Sequence, residues 1–155
     1  MKQIPLSQGK VAIVDDEDYE TLSRHKWHCG SKGYAVRKER RGLREVHVWM
    51  HREIMQPAND MQVDHVNGEK ADNRRCNLRI ATNSHNLCNR GANANNTSGF
   101  KGVTWKEHAG KWMAFINLHG KQKHLGYFDT AEDGARAYNE AAKKYHGVFA
   151  RLNEV

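Results

Sequence analysis

The sequence predicts an α+β fold in two parts. A β-rich N-terminal region runs into a strand–turn–strand–helix unit, and a three-stranded antiparallel sheet packed on one helix follows. Three observations predict this. Residues 89–99, NRGANANNTSG, are rich in Asn and Gly, lack any large apolar residue and read as a linker or extended loop. Behind them, three aromatic and β-branched segments precede one helical pattern. Ahead of them, short apolar runs of strand type are separated by turn residues. The expected division is 1–90, with its most informative stretch at 50–90, a linker at 91–98, and a second part at 99–155.

The 155 residues hold 25 Lys+Arg against 18 Asp+Glu, and 10 His, for a formal net charge of +7. Residues 1–98 carry 16 basic and 12 acidic side chains and residues 99–155 carry 9 and 6, so neither part is a purely basic tail. An excess of this sign favours a polyanion partner, most simply nucleic acid. No apolar run approaches the roughly 20 residues of a membrane span, so no membrane partner is expected. Residues 1–10 hold two lysines and no apolar signal core. Cys29, Cys76 and Cys88 are an odd set without CxxC spacing, which reads as three free thiols in a reducing compartment.

The elements follow in order. Residues 10–14, KVAIV, read as a strand. Asp15, Asp16, Glu17 and Asp18 read as a solvated turn and helix start rather than a metal site, because acids favour a helix N-terminus. Residues 18–27 read as a short helix carrying Tyr19, Leu22 and Trp27. Residues 33–38 and 45–49 read as strands joined by the basic turn ERRGLR. That turn holds Arg40, Arg41 and Arg44 and is read as a phosphate-contacting loop.

The stretch 50–90 carries the chemistry. It contains MHREIM and then VDHVNGEKADNRRCNLRIATNSHNLCNR. Cutting a phosphodiester needs a base, a cation at the leaving oxygen and a rigid frame. A histidine near its natural pKa suits the first role. Asp64 and an Asn side-chain oxygen are hard donors, which suit Mg²⁺ or Mn²⁺. Asn67–Gly68 reads as a turn.

Here the chain resembles the HNH, or ββα-metal, endonucleases of the phage and intron homing type, through the spaced pattern HR, VDHVNG, DNR, NLR, N and NR across about 50–90. The resemblance implies a metal-dependent DNA endonuclease of phage-like origin acting on double-stranded DNA in the bacterial cytoplasm. It implies Asp64 as a metal ligand, His65 as general base, Asn77 as a framework residue and Asn86 as the second metal ligand, with Mg²⁺ as cofactor and Mn²⁺ able to substitute. Asn86 stands where the family has its last His. His85 competes for that role but lies one residue out of register. Asn89 is expected as a further ligand or phosphate contact, and Arg90 as a phosphate contact. His51 and Arg52 are expected beside the active site, touching phosphate or packing under the hairpin.

In the second part, residues 101–105, 111–117 and 123–128 read as three strands. TAED at 130–133 has the form of a capping box with Asp in place of Glu, and a helix is expected from about 131 to 145, ending at Gly147. Ala135, Tyr138, Ala142 and Tyr145 form its apolar face. Residues 99–128 hold five Lys and one Glu, which makes the sheet the basic layer. FKGVTW, GKWMAFI and HLGYFDTAEDGARAYNEAAKKYHGVFARLN resemble the plant ethylene-response-factor (APETALA-type) DNA-binding domain across 99–153. The resemblance implies DNA binding through the sheet. Lys101, Lys106, Lys111, Asn117, Lys121, Lys123 and His124 are expected to face DNA, Trp112 is expected in the core, and Trp105 is left open between the two. The groove-reading arginines of the plant family are replaced, so its target sequence should not transfer. The rival readings are a non-catalytic DNA-binding regulator on an HNH scaffold and an RNA-directed nuclease. The sequence gives no oligomeric state.

Overall fold

A computed structural model describes residues 1–93 and 95–155. The expected linker 91–98 includes residue 94, which lies outside the described residues. The chain divides into two compact units, Met1–Asn83 and Ser84–Val155. The boundary falls ahead of the Asn-rich segment, at the start of a short helix.

The first unit opens with β1 (Lys2–Pro5) paired antiparallel to β2 (Val11–Val14). α1 (Asp16–Leu22) carries Asp16, Glu17 and Asp18 in its first turn, where acids oppose the positive end of the helix dipole. It ends earlier than the expected 27, because the Trp27 indole N–H donates to the Leu22 carbonyl at 2.8 Å and turns the chain back. β3 (His28–Cys29), β4 (Ala35–Arg41) and β5 (Arg44–Trp49) make a three-stranded antiparallel sheet. The hairpin between β4 and β5 is tighter than expected, with only Gly42 and Leu43 between the last paired residues, Arg41 and Arg44.

A second departure follows. Residues 50–55 form a helix, α2 (Met50–Met55), not foreseen from the sequence. Met50 is fully buried and Ile54 nearly so, at the i, i+4 spacing of one helix face. β6 (Gln62–His65) and β7 (Leu78–Ala81) then pair antiparallel, with Asp64 opposite Arg79 and His65 opposite Leu78. One core serves these elements, including Ile4, Val14, Leu22, Trp27, Met50, Ile54, Val63 and Leu78.

α3 (Asn83–Cys88) begins on the last residue of the first unit. In the second unit, β8 (Val103–Lys106), β9 (Lys111–Leu118) and β10 (Lys121–Phe128) form a meander in the order β10-β9-β8. α4 (Ala131–His146) packs on it. The Thr130 hydroxyl accepts from the Asp133 backbone N–H at 3.1 Å and donates to the Asp133 carboxylate at 2.7 Å, closing the expected cap. Val103, Ala114, Ile116, Tyr138 and Ala142 are buried between sheet and helix. Tyr145 departs from the expected apolar face: it is exposed, and its hydroxyl meets the Lys123 ammonium at 2.7 Å.

Gly102 sets how closely helix and sheet approach. Its φ is +76°, and a Cβ there would stand 2.2 Å from the Tyr138 ring and 2.5 Å from the Phe115 carbonyl oxygen. Gly102→Ala should therefore destabilise the second unit by roughly 2–4 kcal/mol, through both the clash and the left-handed backbone. The check is urea unfolding followed by tryptophan fluorescence in a Trp27→Phe, Trp49→Phe background, which leaves only Trp105 and Trp112 of the second unit as reporters. An unshifted transition would contradict the close approach.

Candidate active site and nucleic-acid interface

Asp64 and His65 are consecutive in β6 and nearly inaccessible, at 5% and 4% exposure. Burying two ionisable groups side by side requires partners. Asp64 has Arg79 on the neighbouring strand, whose Nε and Nη2 both donate to its Oδ2, at 2.9 and 2.6 Å. His65 packs by its ring against His51, with centroids 5.2 Å apart, and against Tyr34 at 5.8 Å. Its Nε2 lies 3.4 Å from Asn73 Oδ1. Asn73 is fully buried and donates its amide to the Ala71 carbonyl, which turns its oxygen toward His65. With Asn73 presenting its oxygen, the Nε2–H tautomer of His65 is the one that donates across this contact. Burial lowers the His65 pKa below its ordinary value, against the raising pull of the Asn73 hydrogen bond and of Asp64. The imidazole is therefore neutral at pH 7.

The residues between β6 and β7 form a long polar loop rather than a tight hairpin. The Asn-Gly turn is present, with Gly68 at φ +80° and its N–H on the His65 carbonyl. The returning strand, however, starts only at Leu78. The Asn67 side chain works within the loop, accepting from the Glu69 N–H and donating to Asp72. Asn77 spans the loop: its Oδ1 accepts from the Asn67 N–H at 3.0 Å and its amide donates to the Asp72 carbonyl at 2.8 Å. β2 holds the far side, through Ile13 N–H to Ala71 O and Asn73 N–H to Ile13 O. The acidic cluster adds a grip, since Asp15 accepts from the Arg75 N–H and Asp18 holds the Arg75 guanidinium.

His51 is buried at 8% exposure, with its Nδ1 unpartnered. Arg52 donates to the Met61 carbonyl. Asn86 is half-buried in α3, Asn89 is buried with its N–H on the His85 carbonyl, and Arg90 is exposed. The His85 ring stacks on Phe149 at 4.2 Å. Arg40 and Arg41 lie exposed at the end of β4, and Arg41 is paired with Glu39 at 2.8 Å. Arg79 and Asn73 were not singled out from the sequence. The period-2 pattern of LRIA opposite QVDH was the signal available for Arg79. Nothing local marks Asn73 as buried.

In the sheet of the second unit, opposed residues share a face. Val103, Trp112, Ala114, Ile116, Leu118 and Leu125 pack toward α4. The other face carries Thr104, Lys106, Lys111, Met113, Phe115, Asn117, Gln122, His124 and Tyr127. This corrects the expectation that the seven DNA-facing candidates share one surface. Lys106, Lys111, Asn117 and His124 do. Lys121 and Lys123 stand opposite Leu118 and Ile116 and so lie on the helix side. The Lys101 ammonium donates to the Cys88 carbonyl, and burial pulls its pKa down to about 8. Gln122, opposite Asn117, was missed although alternation alone would have placed it. Trp105, opposite Trp112, lies edge-on to it at 5.2 Å and is 42% exposed. Lys111 also pairs with Asp129 at 3.0 Å.

A family model described as HNH endonuclease matches residues 45–88, which include the β6–β7 site. An HNH endonuclease of Acanthamoeba polyphaga mimivirus, described as uncharacterized, is 29% identical over 150 residues, covering 96% of this chain and 77% of the viral protein. Protein 3.8 of Escherichia phage T7 is 32% identical over 90 residues, covering 58% of this chain and 74% of that protein. The AP2-like ethylene-responsive transcription factor TOE2 of Arabidopsis thaliana is 46% identical over 59 residues, 38% of this chain and 12% of the plant protein. The chain belongs to the HNH endonuclease family and joins that portion to an APETALA-type one. No helix among the described residues is long and apolar enough to cross a membrane.

Two predictions follow from the site. Burial holds the His51 pKa down to about 3, against 6.5 for a free imidazole. The native state keeps this ring neutral while the unfolded chain takes up a proton as pH falls below 6.5. Stability is therefore lost on acidification, by about 2–3 kcal/mol between pH 6.5 and 4.5 from this group. Urea midpoints across that range should show the slope, and His51→Phe should flatten much of it. Separately, Asn77→Ala removes two loop hydrogen bonds and should cost roughly 2–3 kcal/mol, read from the same unfolding curves.

Proposed function

We propose that the chain is a metal-dependent DNA endonuclease whose N-terminal portion cuts and whose C-terminal sheet binds duplex DNA. The observation that carries this is His65: a buried imidazole held at neutral by burial, with Nε2 against the fully buried Asn73 Oδ1, next in the chain to the Asp64 carboxylate that Arg79 engages. β6, β7 and α3 follow one another along the chain in the strand–strand–helix order that the resemblance implies. Domain roles are assigned as 1–90 for cutting and 99–155 for binding.

The donor chemistry fits a hard divalent cation. The two residues that the family resemblance assigns to it, Asp64 with a carboxylate and Asn86 with a side-chain amide, are hard oxygen donors rather than thiolates or imidazoles. Among the described residues no group of three or more His, Cys, Asp or Glu could hold a metal ion. Asp64 and Asn86 would hold Mg²⁺, or Mn²⁺ in its place. The ion's contribution is to stabilise negative charge on the leaving 3′ oxygen. His65 takes a proton at Nδ1 from the water that attacks phosphorus in line. Asn73 keeps the ring in the required tautomer, Arg79 orients Asp64, and Asn77 keeps the loop beneath them in place. The products are 5′-phosphate and 3′-hydroxyl ends. One such site cuts one strand, so a monomer nicks.

DNA is held by sequence-independent cation–phosphate contacts, for which Lys106, Lys111, Arg40 and Arg90 are placed at the surface. Asn117, Gln122 and His124 are placed on the open sheet face, where side chains can read base edges. His51 serves as packing beneath the His65 ring.

Purified protein should nick supercoiled plasmid in Mg²⁺ or Mn²⁺ and leave it intact in EDTA. His65→Ala should lower the cleavage rate by about 10²–10⁴-fold while gel-shift affinity stays within about twofold. Equal cleavage by the variant would remove His65 from the role of base. Binding without cleavage under any metal would favour the regulator reading.

A further inference from the structure

Leu43 sits at the tip of the β4–β5 hairpin and is 96% exposed. A single exposed leucine is ordinary, but its surroundings here are not neutral. Only Gly42, at φ +62°, shares the turn with it. The basic side chains near the tip divide into two groups. Lys38 is paired with Glu45 at 2.7 Å, and Arg37 and Arg41 share Glu39. Arg40 and Arg44 have no carboxylate partner among the described residues. The Nε of Arg40 donates to the Gly42 carbonyl and braces the turn.

The register then fixes where these two cations point. Arg40 stands opposite Glu45 and Arg44 opposite Arg41, so Arg40 and Arg44 emerge from opposite faces of the ribbon. The tip is therefore one apolar side chain wide, with an unpaired guanidinium on each side. A duplex groove has this complement, with phosphates on both walls and an apolar base stack at its floor.

We propose that the β4–β5 hairpin is a DNA-distorting wedge: Arg40 and Arg44 engage the phosphates on the two sides of a groove, and Leu43 inserts between adjacent base pairs. This rests on the duplex-DNA reading above and extends it to a surface that the cutting site and the C-terminal sheet do not use. Apolar wedges between base steps unstack and kink the duplex.

The test uses the full chain in EDTA, so that nothing is cut. Closed circular plasmid is relaxed by a metal-independent type I topoisomerase in the presence of the protein, and the topoisomers are counted after deproteinisation. Occupancy is matched between variants by gel shift on the same plasmid. The wild-type protein should shift the topoisomer distribution in proportion to occupancy. Leu43→Ser should reduce that shift by about fivefold or more, whereas Leu43→Met, which keeps an apolar wedge, should retain it. Leu43 supports no core, so both variants should fold. A bound wild-type protein that leaves the distribution unmoved, or a Leu43→Ser protein that moves it as far as wild type, would overturn the wedge and leave the nuclease reading standing. Failure of the wild-type protein to bind plasmid at all would overturn both.

Discussion

The first unit depends on satisfying a buried polar loop. Between β6 and β7 the chain runs through Asp72, Asn73 and Asn77, all at 6% exposure or less. A segment of this kind folds only if its backbone and side-chain groups find partners, since each orphan costs about 1–3 kcal/mol. Three sources supply them: the backbone of Ile13, the side chain of Asn77, and Arg74 on Asp72 at 2.7 Å. Once these are made, Asn73 is held with its amide on the Ala71 carbonyl and its oxygen toward His65. The position of the His65 ring is thus tied to hydrogen bonds within this loop.

Much of this was legible in the sequence, and the gaps have physical causes. The strands around Val63 and Leu78 and the β8–β9–β10 meander follow from β-branched and aromatic runs. The start and end of α4 follow from Thr130 and Gly147. α2 was missed because VHVWM continues an alternating pattern up to its first residue, and the switch to helix is made by burial of Met50 and Ile54 against a core that only the fold assembles. β1 and β3 were missed because two to four residues carry too little pattern. In the site, residue types announced Asp64 and His65. The cage around them was not readable, because Arg79 acts across a strand pair and Asn73 acts through a loop fixed by a strand some sixty residues earlier.

The second unit shows how strictly alternation governs a binding face. Lysines look alike in composition, yet Lys123 and His124 are neighbours in one strand and so point to opposite sides. The sheet's accessible face is less basic than its sequence suggests. It carries Lys106 and Lys111 at one end and Asn117, Gln122, His124 and Tyr127 toward the other. Such a surface has more hydrogen-bonding and stacking groups than charges.

The Asn67–Gly68 pair also bears on the chemical lifetime of the protein. Asparagine followed by glycine is the sequence most prone to spontaneous cyclisation, in which the glycine nitrogen attacks the asparagine side-chain carbonyl and ammonia leaves. Here the Gly68 N–H is engaged by the His65 carbonyl, and the Asn67 amide is held by Asp72 and the Glu69 N–H. Both reacting groups are restrained in the folded state and released together when the loop opens. The same bonds that orient the site therefore act as a clock guard. Molecules that open this loop, even transiently, acquire an isoaspartate and a new negative charge beside Asp72, and that damage is irreversible.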